Sequence, residues 1–123
     1  AQREPDRAVE FTTLPCSALI YRLSGDLNPL HVDPRVARLA GFAQPILHGL
    51  CSYGIACRAL LQVYCGNDPV RLKGMFARFS SPVYPGETIR VEFHEIGATI
   101  RFRAVAKERG VVVLDRCSAT LAS

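Results

Sequence analysis

The longest apolar segment of the chain, residues 45–65, constrains the fold more than any other feature. Its apolar residues recur at spacings of three and four, which predicts a single helix. When the segment is projected at about 100° per residue, its polar members share one arc of about 120°. These members are His48, Ser52, Arg58 and Gln62. The remaining arc of about 240° is apolar, so we expect the rest of the chain to wrap around this helix.

The part of the chain that follows Asp68-Pro69 changes from helical spacing to strict alternation. Ile89, Val91 and Phe93 alternate with polar residues, and similar runs begin at residues 100 and 111 after glycine-containing turns. A period of two is typical of β-strands. We therefore expect an antiparallel meander of about four strands, and an α+β fold in which one sheet curves around one helix.

Two short helices are predicted before the long one. The first precedes Gly25, whose position suits a C-terminal cap, and the second begins at Asp33-Pro34 and is closed by Gly41. Residues 1–13 are polar and contain proline, which predicts a lead-in arm or linker. Residues 14–123 are then expected to form a single domain, because the chain is too short for two.

Charge and composition narrow the possible partners. The 15 basic and 11 acidic residues give a net charge of +4, and the basic residues are scattered, so we expect no nucleic-acid partner. No apolar stretch is long enough for a membrane span and no signal pattern is present, so we expect neither a span nor secretion. The five cysteines lack paired spacing, which predicts free thiols, a cytoplasmic location and no metal site.

The loop between the two short helices carries the strongest candidate for chemistry. Asp26, Asn28 and His31 occupy its first, third and sixth positions, and Pro29 prevents either helix from continuing through it. A carboxylate and an imidazole at this spacing can converge on a small molecule such as water and act as an acid/base pair. The spacing alone leaves a structural explanation open, in which Asp26 caps the loop, Asn28 makes an Asx-turn and His31 packs in a turn.

The residues around this loop resemble a known family. The string from Tyr21 to His31, followed by Ala37, is similar to the hydratase 2 motif of the (R)-specific enoyl-CoA hydratases and MaoC-like dehydratases. The similarity continues through residues 41–50 and 79–88 and covers roughly residues 10 to 120. It implies the hotdog fold, in which an antiparallel sheet wraps around one long helix, and this agrees with the apolar helix described above.

The resemblance also implies roles and a reaction. The residues that match Asp26 and His31 hold and activate a water, and the one that matches Asn28 orients the pair. The glycine that matches Gly49 donates its backbone N–H to the thioester carbonyl, and Gly49 lies where a helix begins and N–H groups lack partners. The implied reaction is the reversible hydration of a trans-2-enoyl-CoA to an (R)-3-hydroxyacyl-CoA, with no cofactor besides the CoA of the substrate.

Several alternatives remain open at this point. The chain could instead act on acyl carrier protein substrates, or serve as a non-catalytic hotdog subunit that completes a partner's acyl pocket. Its small size predicts a homodimer or pairing with a second hotdog unit, and some members of the family are double hotdogs with the motif in the C-terminal half. For the CoA phosphates we expect arginine ligands, with Arg78, Arg101 and Arg103 as candidates because they lie in the predicted strands.

Overall fold

The computed structural model describes residues 4–122 and shows a five-stranded antiparallel sheet packed against one long helix. The strands are β1 (Arg7–Thr12), β2 (Leu72–Phe79), β3 (Thr88–Ile96), β4 (Thr99–Ala106) and β5 (Val111–Leu121). The helices are α1 (Ser17–Arg22), α2 (Pro34–Leu39) and α3 (Gly49–Tyr64), with short 3-10 turns at Pro29–His31 and Pro69–Arg71. The predicted α+β hotdog architecture is confirmed.

The core lies between α3 and the concave face of the sheet. Ala56, Ala59 and Leu60 of α3 are fully buried, and so are Ile89 and Phe93 of β3. The opposite face of α3 is not enclosed by this chain, since Leu50 is 64% exposed. The predicted start at residue 45 is wrong, because residues 45–48 are extended and the backbone of His48 (φ −59°, ψ 134°) is not helical.

The sheet order is β1-β3-β4-β5-β2, so only β3, β4 and β5 form the predicted meander. The expected meander of about four strands is therefore one strand too long, because β2 pairs with β5 at the far edge of the sheet. The loop of residues 80–87 carries the chain from this edge back to β3. Proline at 82 and 85 keeps the loop out of the sheet, since proline cannot donate to a strand ladder.

The prediction of a lead-in arm or linker over residues 1–13 is wrong for the second half of that segment. Residues 7–12 form β1, an edge strand that pairs with β3 through Val9 opposite Val91 and Phe11 opposite Ile89. Val9 and Phe11 pack against the core, and this gain from apolar burial explains why the segment joins the sheet. The first three residues of the arm lie outside the described part of the chain.

Both short helices form close to their predicted positions. Gly25 has φ +113°, a conformation that favours glycine, and it turns the chain from α1 into the following loop. Asp33 caps α2 by accepting a hydrogen bond from the backbone N–H of Arg35. Among the described residues, none of the helices has the length and apolar character that crossing a membrane would require.

Candidate active site

The loop that connects α1 to α2 is held by hydrogen bonds from its own side chains. Asp26 accepts a hydrogen bond on Oδ1 from the backbone N–H of Asn28, at 3.2 Å. Asn28 in turn accepts one from the backbone N–H of Leu30, at 2.9 Å, and so caps the 3-10 turn that begins at Pro29. The Asx-turn that the sequence left open for Asn28 is therefore present, and its side chain acts on the loop backbone.

His31 lies at the end of this turn and is buried, with 8% of the residue exposed. Its Nδ1 is 2.8 Å from the backbone carbonyl of Ile46. A carbonyl oxygen can only accept, so Nδ1 carries the proton in this bond. In the neutral ring, Nε2 is then left with a free lone pair. The backbone just before α3 thus sets His31 in the form that can take a proton.

His48 contacts both members of the predicted acid/base pair. Its ring stacks on the ring of His31, with centroids 3.8 Å apart and an angle of 22° between the planes. Its Nε2 donates to the backbone carbonyl of Asp26 at 3.2 Å. The residue is 1% exposed, and the ring of Tyr21 lies against it at 4.8 Å.

One polar atom each from Asp26, His31 and His48 can be chosen so that all three lie within 4.8 Å of one another. Such a cluster could hold a small polar molecule or a metal ion. The lone pairs of an imidazole lie in the plane of its ring, and two nearly parallel rings 3.8 Å apart do not converge on one point. The stacking therefore disfavours a metal ion held by both imidazoles at once.

Gly49 is the first residue of α3, one position after His48. Backbone N–H groups in the first turn of a helix have no partner within the helix, and the helix dipole makes this end attractive to negative charge. A Cβ at Gly49 would lie 3.1 Å from the nearest atom of the Phe79 ring, closer than most real contacts. The absence of a side chain thus leaves room for Phe79 beside an accessible backbone N–H.

Two cavities adjoin this cluster. One, of about 230 Å³, is lined by Gly49, Ser52, Phe79 and apolar residues of the 80–87 loop and β5. The other, of about 290 Å³, lies between α1 and the start of α2 and has His31 in its wall. The candidate oxyanion donor and the candidate base therefore line different cavities, and the consecutive residues Pro45 and Ile46 line one each.

The wall of the first cavity is fixed by an ion pair. Arg109 donates two hydrogen bonds to the carboxylate of Glu87 and a third to the carbonyl of Pro82. Burial alone would raise the pKa of Glu87, but the hydrogen bonds from Arg109 and from the backbone of Tyr84 outweigh it. The net result is a pKa below the usual value, so Glu87 is ionised at neutral pH and holds the loop.

The three candidate CoA ligands lie away from this cluster. Arg101 and Arg103 alternate along β4 with Phe102 and Ala104, which face the core, so both arginines project from the outer face of the sheet. Arg103 is paired there with Glu92 at 2.8 Å. Arg78 precedes Phe79, which faces α3, and so projects outward from β2 as well. Their assignment to CoA stays a prediction.

The structure brings Asp26 and His31 together with His48, the residue directly before Gly49. The catalytic roles of Asp26, Asn28, His31 and Gly49 stay predictions. The sequence predicted that His48 enters the long helix and takes part in local hydrogen bonding, and its bond to the carbonyl of Asp26 agrees with this prediction. The stack on His31 was not predicted. A buried histidine directly before the candidate oxyanion glycine is a signal that could have found it. The carbonyl of Ile46 and the ring of Phe79 could not have been found, because their contacts depend on tertiary geometry.

Comparisons with known proteins identify a matching family and several relatives. Residues 1–116 match the family model described as MaoC like domain. The chain is 50% identical over 113 residues to peroxisomal multifunctional enzyme type 2 of Drosophila melanogaster, and 50% identical over 115 residues to probable enoyl-CoA hydratase 2 of Dictyostelium discoideum. Each match covers 92% of this chain. The crystal structure of a MaoC-like dehydratase from Phytophthora capsici superposes with a TM-score of 0.95 and 49% identity over the whole chain.

These relatives are longer than this chain. The chain spans 19% of the fly enzyme, 39% of the Dictyostelium protein and 42% of the Phytophthora structure. One of them carries the word peroxisomal in its name. The expected cytoplasmic location therefore stays a prediction, as do the expected absence of a cofactor and the absence of a metal.

Proposed function

Because the chain belongs to the MaoC-like dehydratase family, we propose that it catalyses the reversible hydration of a trans-2-enoyl-CoA to an (R)-3-hydroxyacyl-CoA. The observation that carries the proposal is the bond from His31 Nδ1 to the carbonyl of Ile46. This bond leaves Nε2 free to accept a proton, in a site that also contains the carboxylate of Asp26. A histidine that only filled a turn would not need a fixed tautomer beside an exposed carboxylate.

In this proposal a water molecule lies between Asp26 and His31. The water oxygen forms a bond to C3 of the enoyl group while one of the two side chains takes its proton. That proton then passes to C2, directly or through the other side chain, so one water is added across the double bond and both side chains return to their starting protonation states. General acid/base assistance of this kind is typically worth about 10² to 10⁴ in rate.

The backbone N–H of Gly49 has the complementary role. As oxygen adds to C3, negative charge develops on the thioester oxygen, and a donor fixed at the start of α3 stabilises it without reorganising. Removing one such donor costs on the order of 3 kcal/mol in other enzymes. The close approach that this requires is compatible with a glycine and with the space that the 230 Å³ cavity provides beside it.

The proposal includes a partner. The loop layer, defined here as residues 14–48, exposes several large apolar side chains, and the outer face of α3 exposes Leu50. A second hotdog unit, either another copy of this chain or a different domain or subunit, would cover such surfaces and complete the acyl site.

The test is to follow the absorbance of the enoyl thioester with the purified chain and two substrates, crotonyl-CoA and a longer trans-2-enoyl-CoA. The product is then passed to a dehydrogenase that accepts only (R)-3-hydroxyacyl-CoA. We expect loss of the enoyl band and complete oxidation of the product with at least one substrate. A chain that is folded but inactive alone, and active only with a second hotdog protein, would support the partner-dependent alternative. Activity only with acyl carrier protein thioesters would show that acyl carrier protein, and not CoA, carries the substrate.

A further inference from the structure

We propose that His48 is a positioning residue that holds Asp26 and His31 in register with the start of α3; this inference rests on the proposed function. Three contacts meet at this one side chain and its backbone. The ring stacks on His31, Nε2 donates to the carbonyl of Asp26, and the next residue in the chain is Gly49.

The ring of His48 does not act as an ordinary helix cap. His48 occupies the N-cap position of α3, but its side chain makes no hydrogen bond to the end of the helix. The first turn is served by its backbone carbonyl, which accepts from the N–H groups of Cys51 and Ser52. Capping therefore needs only the backbone, and the ring is free to point into the loop layer, where it contacts the 26–31 loop.

The hydrogen bond to Asp26 defines the state of the ring. The carbonyl of Asp26 can only accept, so Nε2 of His48 carries a proton. Nδ1 of His48 is buried and has no hydrogen-bond partner. In the neutral ring the proton is therefore on Nε2, and the face of the ring packs against His31.

The loop has few other ways to hold this geometry. Asp26 is exposed, and its side chain is engaged only within the loop, where it bonds the backbone of Asn28. His31 is tied to the strand-like segment before α3 by one bond, to the carbonyl of Ile46. Because His48 belongs to that same segment, its two contacts link the position of the helix end to the ring of His31 and to the backbone of Asp26. A shift of about 1 Å in such groups can cost on the order of 10² in rate.

Three substitutions distinguish the effect of the stack on His31 from the effect of the hydrogen bond to Asp26. His48→Phe retains a ring that can stack on His31 but has no donor for the carbonyl of Asp26. His48→Gln retains an N–H donor but has no ring, and His48→Ala removes both. Ile89→Val is the matched control, because it trims a fully buried side chain in the sheet and touches none of these residues.

We expect His48→Ala to lower kcat by about tenfold or more with KM changed less than about threefold, and His48→Phe and His48→Gln each to recover part of the loss. Ile89→Val should keep the wild-type kcat. Wild-type kcat in His48→Ala would overturn the proposal. A loss that neither conservative variant reduces would also overturn it, because the ring would then have a role other than these two contacts.

A second measurement needs no variant. The ¹⁵N chemical shifts of the wild-type imidazoles should show His48 with its proton on Nε2 and His31 with its proton on Nδ1. A proton on Nδ1 of His48 would remove the bond to Asp26 and contradict the inference, even if His48→Ala failed to fold. This result does not depend on turnover, so it tests the contact separately from the proposed function, even where the wild-type chain alone is inactive.

Discussion

The sheet with α3 and the loop layer of residues 14–48 are built on different principles. Strands β3 to β5 supply side chains that are almost completely buried, such as Phe93, Ile89 and Leu114 at 0% exposure. The loop layer instead exposes Leu23 and Leu39 by nearly nine-tenths and is held by individual polar bonds. The difference separates the two tasks of the chain, since apolar burial stabilises the first region and hydrogen-bond geometry sets the reactive groups of the second.

This separation predicts that stability and activity can be changed independently. The largest effect should come from the sheet. Phe93→Ala removes the largest fully buried side chain and should lower the free energy of unfolding by about 3 to 5 kcal/mol. Leu23→Ala, in the loop layer, should change it by less than about 0.5 kcal/mol because Leu23 is already exposed. Chemical denaturation of both variants measures the difference, and equal losses would remove the distinction between the regions.

The second prediction concerns the loop layer, where we expect substitutions to lower activity with little change in stability. Asp26→Asn and His31→Ala should each lower kcat by about 10² or more, because each removes one of the two groups that transfer protons. Asp26→Asn should leave the thermal midpoint nearly unchanged, since Asp26 is exposed. The matched control is Asp68→Asn, which changes an exposed aspartate that caps the turn before β2. Turnover close to wild type in Asp26→Asn or His31→Ala would remove that residue from the site.

The boundary between the regions can be tested at Gly49. Gly49→Ala should lower kcat by about tenfold, because the added methyl group meets the ring of Phe79 and displaces a backbone donor from its best position. Gly54→Ala is the control on the same helix, where a Cβ would meet nothing within 4 Å. That control should keep its kcat and gain up to about 1 kcal/mol of stability from helix propensity. An unchanged kcat in Gly49→Ala would contradict the oxyanion role.

The smallest effect concerns pH. The pKa of Glu87 is lower in the folded chain than its usual value of 4.5, where burial opposes the shift and the bonds from Arg109 and Tyr84 cause it. The bond to Arg109 therefore stabilises the fold fully above about pH 4.5, and the contribution is lost as the pH falls through the lowered pKa. Glu87→Gln should be less stable by about 1 kcal/mol or less at pH 7 and should lose less stability on acidification. Identical acid dependence in the two proteins would exclude this contribution.

The sequence was informative where a regular residue pattern or a capping residue defines a secondary-structure element. The alternation at Ile89, Val91 and Phe93 predicted a strand with one buried face, and Asp33-Pro34 predicted the start of α2. The early start of the long helix was wrong because apolar spacing does not reveal that residues 45–48 are extended. The place of β2 at the far edge was missed because strand order depends on the route of the 80–87 loop through space, and local pattern carries no information about it.

The candidate site was predictable only in part for a similar reason. The spacing of Asp26, Asn28 and His31 indicated an acid/base loop, and the resemblance added Gly49. The bond from His31 to Ile46 and the stack on His48 join segments 15 and 17 residues apart, and each depends on ring orientation. Such contacts are set by tertiary packing. A sequence pattern can therefore indicate the residues of the site, but it cannot indicate the tautomers of their rings.

The central claim is that Asp26 and His31 act together on one water molecule. The most direct test is the kcat of the Asp26→Asn/His31→Ala double variant beside the two single variants, with the same trans-2-enoyl-CoA and with folding confirmed for each protein. Residues that act as a unit show strongly non-additive losses. We therefore expect the kcat of the double variant to lie within about fivefold of the kcat of the less active single variant. A loss equal to the product of the two single losses would contradict the claim, because the two side chains would then contribute independently.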